Sequence, residues 1–326
     1  MSTLFVRFAI SVGAAAAVLA SLDCRPRGAV PTADAAPSAV ASASATPSAT
    51  AAPFPVPRAS VDLVLNPQGL PVYSGPTGSV EGTVTVQGPP SPDVTVNISK
   101  CAAALDTYGK LFREGHPDTP DGPRALADAV VVVTGYSGFT VAEKNDAVHL
   151  TIGSNCAYPS RTIAVTFGQR LEISNKTKLL FAPVIADNMQ TAVMVAPPQE
   201  NGDPVKLYPT MAGYFALTDR MEPFVREDLY VFRHPLHAVT DLAGHYRIDG
   251  LPVGKLKVGV HHPTVDADAE APIDVVAGVV QKVDLTLTYK PKPKVLDAGA
   301  PRSPRCLRWL DPATKLKCAQ YDRPND

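Results

Sequence analysis

Between residues 80 and 290, short runs of β-branched and aromatic residues recur, each cut off by glycine or proline. Residues 80–86 alternate apolar with polar and then meet Gly88-Pro89-Pro90. Residues 129–133 form a continuous apolar run, and residues 161–167 alternate up to Gly168-Gln169. Further runs occupy 170–174, 229–232, 245–248, 255–260 and 283–287. Period-two runs bounded by turn residues read as strands, and strands at this density predict an all-β fold of Greek-key sandwiches. Runs 161–167 and 170–174 flank a two-residue turn and read as a hairpin. The 33 prolines exclude a mostly helical chain, because each removes a backbone donor and clashes inside a helix. Only residues 102–112 have a helical pattern.

The two ends differ from this middle. Arg7 precedes an apolar stretch over residues 8–22, shorter than the roughly 20 residues of a membrane span, which reads as an export signal. Two processing routes fit: cleavage after Val18-Leu19-Ala20, or lipidation of Cys24, although Asp23 stands where a lipidation motif has a small residue. Either route leaves the protein exported: periplasmic, anchored to the outer membrane, or secreted. Residues 25–60 are Ala, Pro or Ser at 24 of 36 positions and cannot bury a core, so they read as a tether. Beyond Cys24 four cysteines remain, an even number suited to an oxidising compartment. The economical pairing is Cys101–Cys156 with Cys306–Cys318, one of three connectivities. The 30 basic and 31 acidic residues leave no excess positive charge for a nucleic acid, and a single Trp offers no stacking platform.

Two stretches resemble known families. Residues 238–258, with Thr240-Asp241, Gly244, Tyr246, Ile248 and Leu251-Pro252-Val253-Gly254, resemble the carboxypeptidase regulatory-like (transthyretin-like) sandwich. There Asp241 and Gly244 would make a hairpin turn, Tyr246 and Ile248 would share a face, and Pro252 with Gly254 would make the next turn. Gly82-Thr83-Val84 resembles the opening strand of such modules. Residues 152–235 resemble a plastocyanin-like cupredoxin domain, through Asn155-Cys156-Ala157-Tyr158-Pro159, the run ending at Asn175, and residues 213–224. The two regions are either sequential or interleaved, with strands between Val133 and Ala238 inserted into one sandwich. The resulting division is 1–24 signal, 25–79 linker, 80–237 cupredoxin-like region with the first strands of the sandwich, 238–289 transthyretin-like segment, and 290–326 linker with a disulfide-stapled tail.

The cupredoxin resemblance implies a copper site, and the residues depart from it. The family's first His slot falls at Phe181, and its C-x-x-H-x-x-M frame reads Thr218, Met221 and Phe224. Threonine cannot supply the thiolate that a blue-copper centre needs, so no cofactor is expected. Met221 with His234 and His237 is the remaining candidate copper set, with His261-His262 the other histidine pair; the histidines otherwise read as solvated. Met189, Met194, Met211 and Met221 read as core filling. Asp266 to Glu270 carries alternate carboxylates without a calcium-loop pattern and reads as a solvated loop; residues 118–121 read as a turn. Glu222 and Glu227 carry no distinctive pattern, and no G-x-S-x-G, H-E-x-x-H or phosphate-binding loop occurs. The expectation is a non-enzymatic envelope protein that presents a β-surface to a protein partner or ligand, touching membrane only through a lipid anchor. The alternatives are a copper-binding or electron-transfer protein with non-standard ligands, and an accessory domain of a carbohydrate-active or peptidase assembly.

Overall fold

The computed structural model describes residues 57–291, apart from 99, 118, 120, 121, 142–146 and 189–193. The export signal, Cys24, most of the tether, Cys306, Cys318 and Met189 lie outside the described residues, as do residues 118, 120 and 121 of the predicted turn. The first element is a helix, α1 (Arg58–Leu65), followed by β1 (Thr77–Gln87), α2 (Leu105–Tyr108), β2 (Arg124–Ala125) and β3 (Val130–Thr134). Next come β4 (Ala147–Ile152), β5 (Thr162–Thr166), β6 (Arg170–Asn175), β7 (Pro183–Ile185), β8 (Val205–Leu207), β9 (Gly213–Asp219) and β10 (Arg226–Phe232). The last strands are β11 (His237–Val239), β12 (His245–Pro252), β13 (Gly254–His262), β14 (Ala267–Val275), β15 (Val280–Lys282) and β16 (Leu285–Thr288). The fold is all-β, as the strand punctuation predicts.

The strands enclose two main cores. In the outer sandwich, β1 pairs with β12, β2, β15 and β16, and this sheet faces a second one ordered β11-β3-β13-β14. Its core contains Val84, Val131, Tyr246, Ile248, Leu256 and Leu285. In the other sandwich, sheet β4-β6-β8 faces sheet β5-β10-β9-β7 around Ile163, Val165, Phe167, Leu171, Ile173 and Leu217. The second sandwich is an insertion. The chain leaves the outer sandwich after β3 and returns at β11, and these two strands pair, with His237 opposite Val132.

Local details follow the residue pattern. The Asp241 turn forms: its Oδ1 accepts the backbone N–H groups of Ala243 and His245, and Gly244 has φ +75°. A Cβ on Gly244 would lie 2.4 Å from the Val84 carbonyl oxygen, so the turn admits only glycine. Tyr246 and Ile248 both face the core. The 161–174 hairpin, by contrast, does not form. β5 pairs in parallel with β10, whereas β6 pairs with β4 and β8 in the opposite sheet. Ile163 and Val165 line the core from one sheet, and Leu171 and Ile173 from the other. Of the predicted loop over 266–270, Asp266 lies in a turn, but residues 267–270 are strand. Ala267–Val275 is an edge strand whose carboxylates alternate outward, which is the period-two signal of a half-exposed strand. The end of the proline-rich stretch is ordered too, because α1 buries Val61 and Leu65 against the inserted core.

Two features join the sandwiches. β3 is buried on both faces: Val131 and Val133 enter the outer core, while Val130 and Val132 pack on Tyr230 and Phe232 of β10. Beside it lies Asp128, with φ +63°. Its carboxylate accepts two bonds from the Arg113 guanidinium, at 2.7 and 2.5 Å, and 2.8 Å bonds from the Ser160 hydroxyl and the Arg161 backbone N–H. Burial opposes its charge, but Arg113 and these donors hold the Asp128 carboxyl below its ordinary range. Asp128→Ala strands a mostly buried guanidinium, and a loss of about 3–5 kcal/mol is expected in urea unfolding. A loss under about 1 kcal/mol would show that the pair does not bridge the sandwiches.

Candidate functional site

The β9–β10 hairpin carries the frame in which the cupredoxin resemblance places its ligands. Along β9, Phe215, Leu217 and Asp219 face the inserted core; Thr218 instead points to β7, 3.4 Å from the Val184 carbonyl oxygen. Met221 is 46% exposed, and Phe224 packs at the rim with its ring 5.8 Å from that of Tyr108. The residues of this loop that turn inward are Asp219, Glu222 and Val225, all buried. They keep the same one, four, seven spacing, one position later than Thr218, Met221 and Phe224. Thr218, Met221 and Phe224 therefore do not share one inward side. Strand alternation along β9 was the available signal: Phe215 and Leu217 already mark the inward parity that Asp219 continues.

These inward residues form an acidic, aromatic cluster. Asp219 Oδ1 accepts the backbone N–H groups of Met221 and Glu222, at 2.9 and 3.0 Å, which fixes the turn. Glu222 pairs with Lys100 at 2.9 Å. Phe181 is wholly buried in the apolar core. Glu227 is 0% exposed and accepts the Tyr108 hydroxyl at 2.5 Å. It stands opposite Leu217 in the ladder, so it shares the inward face, with Asp219 its diagonal neighbour. Tyr158 is buried against the same group. Among the described residues no hydrogen-bond partner reaches Asp219 Oδ2, Glu227 Oε2 or the Tyr158 hydroxyl. Burial pushes the Glu227 carboxyl up to about 8, only partly offset by the Tyr108 hydrogen bond. Burial likewise raises Asp219, and burial and then the nearby Glu227 raise Tyr158. The disulfide Cys101–Cys156 ties the segment carrying Tyr108 to the inserted sandwich, and closing its 55-residue separation contributes about 4 kcal/mol on the chain-entropy model.

The candidate copper set does not converge. Met221 precedes β10 and His234 and His237 follow it, and seven extended residues separate them by about 20 Å. Nor are these histidines solvated. His234 is buried, and His237 stacks on Phe232 at 4.7 Å with Nε2 3.2 Å from Thr166 Oγ1. His261 and His262 are buried as well. His261 Nδ1 lies 2.5 Å from Asp268, and His262 Nδ1 accepts the N–H groups of Thr264 and Val265. Of the methionines, Met211 packs on the core while Met194 and Met221 are exposed. Among the described residues no three His, Cys, Asp or Glu side chains converge as a metal-ligand set. No helix among them is long and apolar enough to cross a membrane.

No family model matches the chain, and no curated protein matches it. Similar solved structures are cupredoxins. A Cu(I) mutant amicyanin is 20% identical over 26% of this chain and 82% of its own, with a TM-score of 0.23. Amicyanin from Paracoccus versutus is 16% identical over 31% and 96%, with a TM-score of 0.23. A Cu-containing nitrite reductase from Thermus scotoductus is 14% identical over 30% and 24%, with a TM-score of 0.22. At these scores the likenesses carry no argument.

Burial, together with the neighbouring His234, lowers His237 to about 3, and burial lowers His262 to about 3. A depressed histidine adds stability that is present above its ordinary value of 6.5 and lost as the pH falls from there toward 3. In a proton NMR titration both rings are expected to keep neutral-form shifts from pH 8 to about 4; a midpoint near the ordinary histidine value of ~6.5 for either would contradict their burial.

Proposed function

We propose that this chain is a non-enzymatic exported protein of the cell envelope, whose inserted sandwich is a metal-free binding or structural module of cupredoxin-like descent. The observation that carries this reading is the side-chain chemistry at the ligand end. Phe181 fills the first imidazole position, and the inward frame holds two carboxyls and a valine. Neither a carboxylate nor a hydroxyl makes the copper–thiolate bond on which a blue-copper centre depends. The cluster is closed instead by packing and by Tyr108, Lys100 and the disulfide, which suits a rigid scaffold. Export is supported by the apolar leader and by the disulfide, which persists in an oxidising compartment. The proline-rich tether gives the folded part reach from an anchor at Cys24 or freedom after cleavage. An accessory role in a larger assembly is the same reading with the partner inside that assembly.

Copper loading tests it. The purified protein, incubated with Cu(II) and dialysed, is expected to retain well under one copper per chain and to show no intense visible band. One copper per chain with a strong charge-transfer band would replace this reading with that of an electron carrier using unusual ligands. Changing Met221, His234 and His237 singly to Ala is then expected to leave that band unaltered for at least one of them, since the three do not meet.

A further inference from the structure

Sheet β11-β3-β13-β14 ends on β14, and among the described residues no strand pairs with its far side. Its register to β13 runs unbroken from Val275 opposite Gly254 to Ala267 opposite His262. Backbone N–H and C=O groups alternate sides along a strand, so one bond fixes the direction of all the others. Val133 N–H donates to the Leu236 carbonyl oxygen beside β11, so Val130, Val132 and Thr134 turn toward β13. Their opposite residues Lys257, Gly259 and His261 face β3, and Val258 and Val260 face β14. On β14, Ala269 and Ala271 therefore bond β13, while Asp268, Glu270, Pro272 and Asp274 turn their backbone outward. Two details agree: Pro272 has no N–H to pair, and the Gln281 side chain donates to the Asp274 carbonyl oxygen.

The same residues expose their side chains on one face, so open backbone groups lie beside Asp268 and Glu270. Each carboxylate meets one neighbour on β13, His261 at 2.5 Å and Lys257 at 2.7 Å, and stays 51% and 43% exposed. A straight nine-residue edge is a template for a further strand. A strand added antiparallel forms hydrogen-bonded pairs with Asp268 and Glu270, and paired side chains share a face. Such a strand needs its donors and its positive charges on the same alternate residues.

Lys290-Pro291-Lys292-Pro293-Lys294 meets both requirements. Proline has no N–H, so every donor belongs to a lysine, and the prolines on the outer side stop the sheet from growing further. The wider charges match too: residues 57–289 hold 25 acidic and 18 basic residues, and residues 290–326 hold four and nine. The segment's own molecule is wrongly arranged to receive it. β16 runs parallel to β1, and β14 runs the other way, since a Cβ on Gly78 near the start of β1 would meet Val275 at the end of β14. Tyr289 packs on Phe112, and Phe112 on His262 opposite the first residue of β14, so the chain leaves at the start of that strand and heads past it. A reversal onto it would give a parallel pair, in which the donor lysines carry their side chains to the face away from the carboxylates.

We propose that the β14 edge binds the Lys290–Lys294 segment of a second copy of this chain, antiparallel, with Lys290 opposite Pro272, Lys292 opposite Glu270 and Lys294 opposite Asp268. Donor and acceptor are different surfaces, so the contact is head-to-tail and extends to short open arrays. It is salt-sensitive, because its side-chain pairs are exposed.

Carbodiimide coupling, which joins touching lysine and carboxylate side chains, tests this on the full chain in an equal mixture of ¹⁴N- and ¹⁵N-labelled protein. Lys292–Glu270 and Lys294–Asp268 links are expected in peptides that combine the two labels. In sedimentation at low salt, mass is expected to rise with concentration, and Lys292→Glu with Lys294→Glu is expected to weaken association about tenfold. Links absent, or confined to peptides of one label, would overturn the proposal, and this readout needs no variant. So would a wild-type protein that stays monomeric, or association undiminished in the variant.

Discussion

Everything in this molecule hangs on one five-residue strand with no solvent side. β3 gives Val131 and Val133 to one core and Val130 and Val132 to the contact with Tyr230 and Phe232. Burying four valines is worth several kcal/mol at roughly 1.5–3 kcal/mol for a fully buried apolar side chain. The same strand also ends the first leg of the outer sandwich, and β11, which resumes it, lies alongside. The inserted sandwich thus leaves and returns at neighbouring points. An insertion joined this way adds little closure entropy to the host, since each doubling of a loop costs only about 0.6 kcal/mol.

Two buried carboxylates near this junction show how partners, not depth, set charge. Asp128 and Glu227 are both nearly inaccessible. Asp128 meets a bidentate guanidinium, a hydroxyl and a backbone N–H and stays ionised. Glu227 accepts from the Tyr108 phenol, and burial raises its carboxyl well above the ordinary range. The first joins the sandwiches through a paired charge, and the second has burial without a paired cation.

Much of the fold was legible in the residue order because strand alternation and turn chemistry are local. Asp241, Gly244, Tyr246 and Ile248 each take the position their types require, and Cys101 meets Cys156. What escaped is what depends on which sheet a strand joins. Residues 162–166 and 170–175 look like hairpin partners, and only their pairing with β10 and with β4 reveals that they face each other. The carboxylates of β14 resembled a loop because an edge strand is half wet. At the candidate site, Glu227 gave no sign, since nothing in the order of residues marks a lone glutamate as wholly buried. That Asp219 rather than Thr218 turns inward was recoverable from the parity of Phe215 and Leu217.

The parallel pairing of β1 with β15 and β16 imposes an order of events on a chain emerging from a ribosome or translocation channel. The first strand of the outer sandwich waits for neighbours made some two hundred residues later, while every strand of the inserted sandwich is present once residue 232 has cleared. The guest is complete before its host, and Tyr230 and Phe232 offer a surface to β3, already made, and to Val239 of the later β11.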